Sequence, residues 1–244
     1  MTTGTDMKKI LVWTIRIIAI IGLVASLCAL AVYIIGDVRD NASHKDTQKL
    51  KSVLDEYNAL YAENEDTIGW LKIDGTDIDH VVMFVENDNE KYLHRDFYGN
   101  DSYRGCLFVD GRCDVQTSDN VIIYGHHMKD GSMFGALVDY RDREFYESHR
   151  YIQFDTIYEK QRYEVVAAIE TALLPEGAEG FRYYEYTDEN DAQSFNEYVQ
   201  FIEQNKLYDT GVELHPGDKL ITLSTCAYHT DDGRFIVVAK KLAE

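Results

Sequence analysis

The feature of the sequence that most restricts its fold is a series of eight short segments rich in Val, Ile, Tyr and Phe, with Gly, Asn or Asp between them. Branched and aromatic side chains suit a pleated surface and turn residues end it, so such segments are typical of β-strands. The segments are residues 68–73, 80–85, 106–110, 120–125, 150–155, 162–170, 219–224 and 234–240. So many short strands predict a mainly β fold, either a closed barrel or a sandwich, which leaves no strand edge exposed.

Helical patterns occur at three places beside the strands. Between Leu50 and Tyr61 the apolar residues fall at spacings of three and four, which predicts an amphipathic helix over 46–62. This helix is too short for the several heptads of a coiled coil, so we expect its apolar face to cover the domain that follows. Shorter helices are predicted near 132–140 and 190–205, between strands.

Residues 17–35 form a run of nineteen amino acids without a charged side chain. A helix of that length is about 28 Å long at ~1.5 Å per residue, close to the roughly 30 Å hydrocarbon core of a bilayer. Three basic residues and one acidic residue precede the run, and basic residues favour the cytoplasmic side of a membrane. We therefore predict a single-pass protein of the cell membrane with its N-terminus in the cytoplasm.

This prediction divides the chain into a cytoplasmic tail (1–9), a transmembrane signal-anchor helix (10–35), a linker with the amphipathic helix (36–66) and an extracellular domain (67–244). A cleaved signal peptide is the alternative, because residues 29–31 have the small-x-small pattern of a cleavage site. The apolar run continues past that pattern, which favours a retained anchor.

The composition excludes some partners and some fold classes. Lys and Arg number 24 and Asp and Glu 43, so the formal net charge is −19, which is unsuited to binding a nucleic acid. Apolar residues make up 45% of the chain, enough for a packed core. Four cysteines in 244 residues are too few for a disulfide scaffold, and the spacing of Cys106 and Cys113 leaves open whether these two pair.

Three residues at the ends of predicted strands could carry chemistry. Cys226 follows the segment 219–224, and a thiol between a strand and a loop is firmly held yet reachable by a substrate. His126 follows another apolar segment, and an imidazole titrates near neutral pH, as an acid–base group must. Arg234 opens the segment after the Cys226 loop, and its guanidinium can donate to an oxyanion. If 219–224 and 234–240 pair as a hairpin, Cys226 and Arg234 face each other at its mouth.

Each of these residues also has an ordinary structural role open to it. The thiol could be a packing group, the histidine a solvated surface residue and the arginine the ion-pair partner of a nearby aspartate. Cys226 and His229 also form half of a zinc site, which His126 and His127 would have to complete. Taken singly, the residues therefore leave the function open.

Three longer motifs occur together in this chain: Thr-Leu-Ser-Thr-Cys at 222–226, Tyr-Gly-His-His-Met-Lys-Asp-Gly-Ser-Met-Phe at 124–134, and Gly-Arg-Phe at 233–235. With Phe-Tyr-Gly at 97–99, they resemble the motifs of class B sortases, the membrane-anchored cysteine transpeptidases of Gram-positive bacteria. The resemblance extends over roughly residues 46–244.

The resemblance implies a closed eight-stranded β-barrel with an N-terminal helix, short helices between the strands and the N-terminal transmembrane helix. It implies that Cys226, His126 and Arg234 are the catalytic residues and share one groove. It also implies that Tyr124 and Ser224 line the groove that binds the substrate. No cofactor and no metal ion is implied.

The resemblance further implies the reaction and the partners. The enzyme would cleave a C-terminal sorting motif of a secreted surface protein after a Thr, hold the acyl group as a Cys226 thioester, and join it to an amine of peptidoglycan or of its lipid-linked precursor. Two alternatives stay open: a pilin-polymerising sortase that uses a protein Lys as acceptor, and a non-catalytic, membrane-anchored binding module in which Cys226 is structural.

Overall fold

The computed structural model describes residues 13, 23–24, 26–31, 55–175, 177–188, 192–227 and 232–243. The chain divides into two units, residues 1–52 and 53–244. In the first unit the described residues are helical and exposed. Among all described residues, no helix has both the length and the apolar character needed to cross a bilayer. The predicted anchor over 10–35 and the linker up to residue 54 otherwise lie outside the described residues.

Eight strands run through the described part of the second unit and form a closed barrel. The strands are β1 (Thr67–Lys72), β2 (Asp79–Met83), β3 (Leu107–Val109), β4 (Asn120–Tyr124), β5 (Tyr151–Thr156), β6 (Arg162–Ala172), β7 (Leu220–Cys226) and β8 (Gly233–Lys241). Their order around the barrel is β1-β2-β3-β4-β7-β8-β6-β5, and β5 pairs with β1 to close it. The predicted mainly β fold is confirmed, and the structure selects the barrel over the sandwich.

The helices lie at the start of the barrel and in two of its connections. They are a 3-10 turn at Asp55–Tyr57, α1 (Asn58–Glu63), a 3-10 helix at Gly135–Arg141, α2 (Arg143–Ser148), a 3-10 helix at Tyr183–Glu185 and α3 (Ala192–Asn205). The helix predicted near 190–205 is α3, and the one predicted near 132–140 is a 3-10 helix shifted toward the C-terminus. Of the helix predicted over 46–62, residues 46–54 lie outside the described residues.

Side chains on β7 alternate between two apolar clusters, as the period of a strand requires. Ile221 and Leu223 point into the barrel and belong to its central core. Leu220 points outward into a second cluster, which also contains Tyr198 and Ile202 of α3. Thr222 follows the same outward direction, because its hydroxyl lies 2.8 Å from the Tyr198 hydroxyl. Even-numbered residues of β7 therefore face the outer side of the barrel.

Two strand pairs of the barrel are parallel, and one of them sets up the site. β4 and β7 run side by side in the same direction, with Asn120 opposite Leu220 and Tyr124 opposite Ser224. β7 and β8 form an antiparallel hairpin, with Leu220 opposite Lys240 at its far end. Because parallel strands end at the same edge of a sheet, the residues that follow β4 and β7 lie beside each other, next to the start of β8.

Candidate active site

Cys226 is the last residue of β7, and Arg234 lies directly opposite it on β8. The alternation along β7 places the Cys226 side chain on the outer side of the barrel, where it is partly exposed. Arg234 shares that side, because its neighbour Phe235 is buried in the central core. The sequence-based prediction that this thiol and this guanidinium face each other at the mouth of a hairpin agrees with the observed register.

The Arg234 side chain curls back toward the two backbone carbonyls that precede it. Its Nη1 donates to the carbonyl oxygen of Gly233 at 2.9 Å and to that of Asp232 at 3.3 Å. Among the described residues, its Nε and Nη2 atoms have no hydrogen-bond partner. A guanidinium has five N–H donors in one plane, which suits it to donate to an oxygen atom bound beside Cys226.

His126 reaches the same edge because the β4–β7 pairing continues past the end of β4. The Gly125 amide donates to the Ser224 carbonyl at 3.2 Å, and the Thr225 hydroxyl donates to the Gly125 carbonyl at 2.7 Å. Extending the register of Tyr124 with Ser224 by two residues puts His126 beside Cys226. The structure thus places Arg234 on β8, Cys226 at the end of β7 and His126 two residues past the end of β4, all at one edge of the barrel.

Gly125 allows the chain after β4 to stay paired with β7, because any side chain at residue 125 would point into the packed barrel interior. A Cβ atom at residue 125 would lie 2.4 Å from Cδ2 of Leu107 and 2.7 Å from Cδ2 of Phe134. Carbon atoms in favourable contact are about 3.5–4.0 Å apart. Only glycine therefore fits at this position without moving the core.

The His126 ring is oriented by the long β2–β3 connection. Its Nε2 lies 2.8 Å from the Leu93 carbonyl oxygen, and its ring stacks on that of His94 with centroids 5.5 Å apart. A carbonyl oxygen can only accept, so in this arrangement Nε2 carries a proton. Nδ1 is consequently the nitrogen that can gain or lose a proton during a reaction.

His127 has a place in the site that the sequence did not suggest. Its Nδ1 lies 3.1 Å from the Cys226 carbonyl oxygen and donates to it. The two consecutive histidines therefore do different things: His126 bonds to the Leu93 carbonyl, and His127 holds the backbone that carries the thiol. The pair of adjacent histidines was the signal available in the sequence, but only the parallel pairing of β4 and β7 assigns the second ring to Cys226.

Ser224, predicted to line a substrate groove, is buried, with 1% of its surface exposed. Its hydroxyl lies 2.9 Å from the hydroxyl of Tyr183, which belongs to the 3-10 helix between β6 and β7. Burial raises the pKa of Tyr183 to about 12, although the bond to Ser224 and the charge of Arg234 act in the opposite direction. Tyr183 therefore forms a neutral, hydrogen-bonded wall beside Cys226 and Arg234, and nothing in the sequence distinguished it from the other tyrosines.

Tyr124, the second residue predicted to line the groove, is in register with Ser224 and partly buried. Its ring packs against that of Phe108, with centroids 5.5 Å apart, and its hydroxyl donates to Oδ2 of Asp110 at 3.0 Å. Burial, followed by the negative charge of Asp110, raises the pKa of Tyr124 well above its usual value. This phenol therefore stays protonated and remains a hydrogen-bond donor.

The other cysteines of the barrel are separate from this site. Cys106 and Cys113 are buried free thiols, so the two do not form a disulfide in this structure. Burial raises the pKa of Cys106 to about 11 and that of Cys113 to about 12, which keeps both thiols neutral and unreactive. Among the described residues, no group of three or more His, Cys, Asp or Glu side chains could hold a metal ion. His229, the other residue of the half zinc site, lies outside those residues.

Known proteins are similar to this chain in both sequence and fold. The sortase domain family matches residues 71–242. Sortase B of Staphylococcus aureus is 32% identical over 188 residues, which cover 76% of this chain and 74% of that protein. Sortase B of Listeria monocytogenes is 35% identical over 191 residues, which cover 77% of this chain and 74% of that protein.

Two solved structures give the same result in three dimensions. The Staphylococcus aureus sortase B–substrate complex superimposes with a TM-score of 0.70 at 29% identity, covering 84% of this chain and 93% of that one. Sortase B from Bacillus anthracis in complex with AAEK1 superimposes with a TM-score of 0.69 at 35% identity, covering 79% of this chain and 86% of that one. The chain belongs to the sortase family of cysteine transpeptidases. Within that family it is a class B sortase.

Proposed function

We propose that this sortase cleaves a C-terminal sorting motif of a secreted surface protein after a Thr and transfers the acyl group to an amine of peptidoglycan or of its lipid-linked precursor. Cys226 is the nucleophile, His126 the acid–base residue and Arg234 the oxyanion donor of this proposal. The observation that supports it is the register of β7 with its two neighbours: Cys226 lies opposite Arg234 on β8, and the pairing of Tyr124 with Ser224, extended by two residues, puts His126 on the other side of Cys226.

In the first half of the reaction, the Cys226 thiolate attacks the carbonyl carbon of the scissile peptide bond. The carbonyl oxygen becomes an oxyanion, to which the Arg234 guanidinium donates. The C–N bond then breaks, and the protonated His126 gives its Nδ1 proton to the departing amine. The products are a thioester on Cys226 and the free C-terminal fragment.

In the second half, neutral His126 takes a proton from the incoming amine, which attacks the thioester carbonyl. A second oxyanion forms in the same place and is stabilised by the same guanidinium. The C–S bond breaks, a new amide bond forms, and Cys226 leaves as the thiolate that began the cycle. Because His126 acts as acid and then as base, its starting protonation state is restored.

We also propose that residues 10–35 anchor the chain in the cell membrane, with the N-terminus in the cytoplasm and the barrel outside. The uncharged run over 17–35 and the basic residues before it support this orientation. Protease added to intact cells without walls should digest the barrel. A barrel that stays protected until the cells are lysed would contradict the orientation.

The experiment that tests the reaction uses the full-length chain in detergent with a library of peptides that resemble sorting motifs. Mass spectrometry should find peptides cleaved after Thr, an acyl adduct on the peptide containing Cys226, and a transfer product when an amine is added. The matched control is Cys113→Ala, which removes a buried thiol without touching the site and should retain the activity. Cys226→Ala with undiminished cleavage would refute the proposal.

A further inference from the structure

A buried carboxylate outside the three proposed catalytic residues connects both sides of the candidate site. Asp110 follows β3 directly, and none of its surface is exposed. Its Oδ1 accepts from Nε of Arg112 at 2.9 Å and from the Arg112 amide at 3.0 Å. Its Oδ2 accepts from Nη2 of Arg112 at 2.8 Å and from the Tyr124 hydroxyl at 3.0 Å. Four donors therefore converge on one carboxylate.

On one side of the site, Asp110 is connected to β4 through Tyr124. Tyr124 is the last residue of that strand, stands opposite Ser224, and precedes His126 by two residues. Because its ring packs on Phe108 and its hydroxyl bonds to Asp110, it is held at both ends. A change in Asp110 would release the polar end of this side chain.

The second side is the 3-10 helix Tyr183–Glu185. The same Nη2 atom of Arg112 that bonds to Asp110 also donates to the Tyr184 carbonyl oxygen at 2.5 Å. The preceding residue, Tyr183, contacts the Ser224 hydroxyl. The guanidinium therefore links the turn after β3 to the segment that forms the wall beside Cys226.

The surrounding donors stabilise the negative charge of the Asp110 carboxylate. Burial by itself would raise the pKa of Asp110, but the hydrogen bonds and positive charge of Arg112, together with the Tyr124 hydroxyl, outweigh it and hold the pKa below its usual value. Asp110 is buried but the Arg112 side chain is 46% exposed, so water screens the pair, and its main contribution is the geometry that its directional bonds fix.

We propose that Asp110 is a positioning residue for the substrate groove: it fixes Tyr124 on one wall and, through Arg112, the Tyr183–Glu185 helix on the other. This inference rests on the proposed function, because the groove is the one that receives the sorting peptide. Asp110 itself touches no reacting atom. Its loss therefore affects how well the peptide binds, while the reactivity of Cys226 stays the same.

The test is a comparison of Asp110→Asn with a matched control, Asp155→Asn, in the full-length chain. The amide introduced by Asp110→Asn has the size of the carboxylate but turns one of its two acceptors into a donor that faces other donors. Asp155 is also a buried aspartate, 2% exposed and bonded to the Tyr57 hydroxyl and the Gln161 amide. It lies on β5, which pairs with the start of β6, whereas Arg234 pairs with Thr171 near the end of β6.

Asp110→Asn should raise KM for the cleaved peptide about tenfold or more, as expected when charge-assisted bonds are lost, with kcat within about threefold of wild type. The rate at which a small methanethiosulfonate reagent labels Cys226 should not change. Asp155→Asn should lower the melting temperature and leave KM unchanged. If Asp110 were merely structural, Asp110→Asn would behave like Asp155→Asn and lower the melting temperature with KM unchanged.

Two further variants keep the test decisive if Asp110→Asn does not fold. Tyr124→Phe removes only the hydroxyl, and Arg112→Lys keeps the charge but loses the planar fork that reaches the Tyr184 carbonyl. Each should raise KM severalfold. Unchanged KM in these variants, or a fall in kcat with unchanged KM, would overturn the inference while leaving the proposed function intact. Failure of the wild-type chain to cleave any peptide would instead overturn the proposed function, and this inference with it.

Discussion

Replacing Gly125 by alanine tests whether the packing inside the barrel determines where His126 lies. The new methyl carbon would be 2.4 Å from Leu107 and 2.7 Å from Phe134, and both of these side chains are fully buried. Since carbon contacts are favourable at about 3.5–4.0 Å, the neighbours or the backbone must move by about 1 Å. The observed φ at Gly125 is not in the left-handed region, so the strain arises from crowding alone.

The size of the effect follows from two opposing contributions. Overfilling a core costs about 1–3 kcal/mol, and replacing glycine by alanine in an extended segment returns about 0.5–1 kcal/mol. The expected net loss is about 1–2 kcal/mol, which lowers the melting temperature of a domain of this size by about 2–8 °C. We also expect kcat to fall, because the displaced backbone carries His126.

The assay is a double-mutant cycle with Leu107→Val, followed by calorimetry and peptide cleavage. The shorter valine makes room for the methyl group. The loss in free energy of unfolding caused by Leu107→Val should therefore shrink or vanish when residue 125 is alanine. Gly99→Ala is the matched control: there a Cβ meets no atom within 4 Å, and the positive φ of +79° supplies the strain. Leu107→Val should not reduce the destabilisation caused by Gly99→Ala. Additive effects for the pair 125 and 107, or a Gly125→Ala variant as stable as wild type, would refute the reasoning.

Three other predictions concern the guanidinium and the thiols. Arg234→Lys keeps the charge but loses the planar set of donors, so the rate of thioester formation in rapid-quench experiments should fall about 100-fold or more; a rate within threefold of wild type would contradict this. A thiol reagent at pH 8 should label Cys226 and spare Cys106 and Cys113, as checked by peptide mapping, because burial keeps the latter two protonated. The pKa values of these two buried thiols are raised from the usual 9.0 to about 11 and about 12, so the folded state keeps protons that the unfolded chain loses. Their contribution to the free energy of unfolding should therefore be complete below about pH 9 and be lost as the pH rises to about 11 for Cys106 and about 12 for Cys113, which urea titrations at several pH values would measure.

Much of the fold was predictable because local composition determines it. All eight segments rich in branched and aromatic residues are strands, and α3 begins and ends within two residues of its predicted bounds. The hairpin of β7 and β8 was also predictable, since its two strands adjoin a single loop and their register then follows. The pairing of Cys226 with Arg234 is for this reason the part of the site that sequence reasoning located best.

The parts of the fold and of the site that could not be predicted depend on contacts between distant segments of the chain. The sequence did not indicate that β4 lies beside β7, which is what makes the Cys226 carbonyl the partner of His127. It likewise did not single out Tyr183 or Asp110, because a tyrosine among 18 tyrosines and an aspartate after a strand look ordinary until their partners are known. The 3-10 helix Gly135–Arg141 is displaced from its prediction because tight i to i+3 bonding does not follow the spacing on which helix prediction depends.

The parallel pairing of β4 with β7 also has a consequence for the order of folding. Thr225 and Gly125 are bonded across 100 residues of chain, and such non-local contacts form slowly because a long loop must close first. The hairpin of β7 and β8 lies between β4 and β6, so its insertion is the event that completes the barrel wall. Cys226 is held beside the residues that follow β4 only when this pairing is formed. We therefore expect the thiol of a chain that lacks the β4–β7 pairing to cleave no peptide.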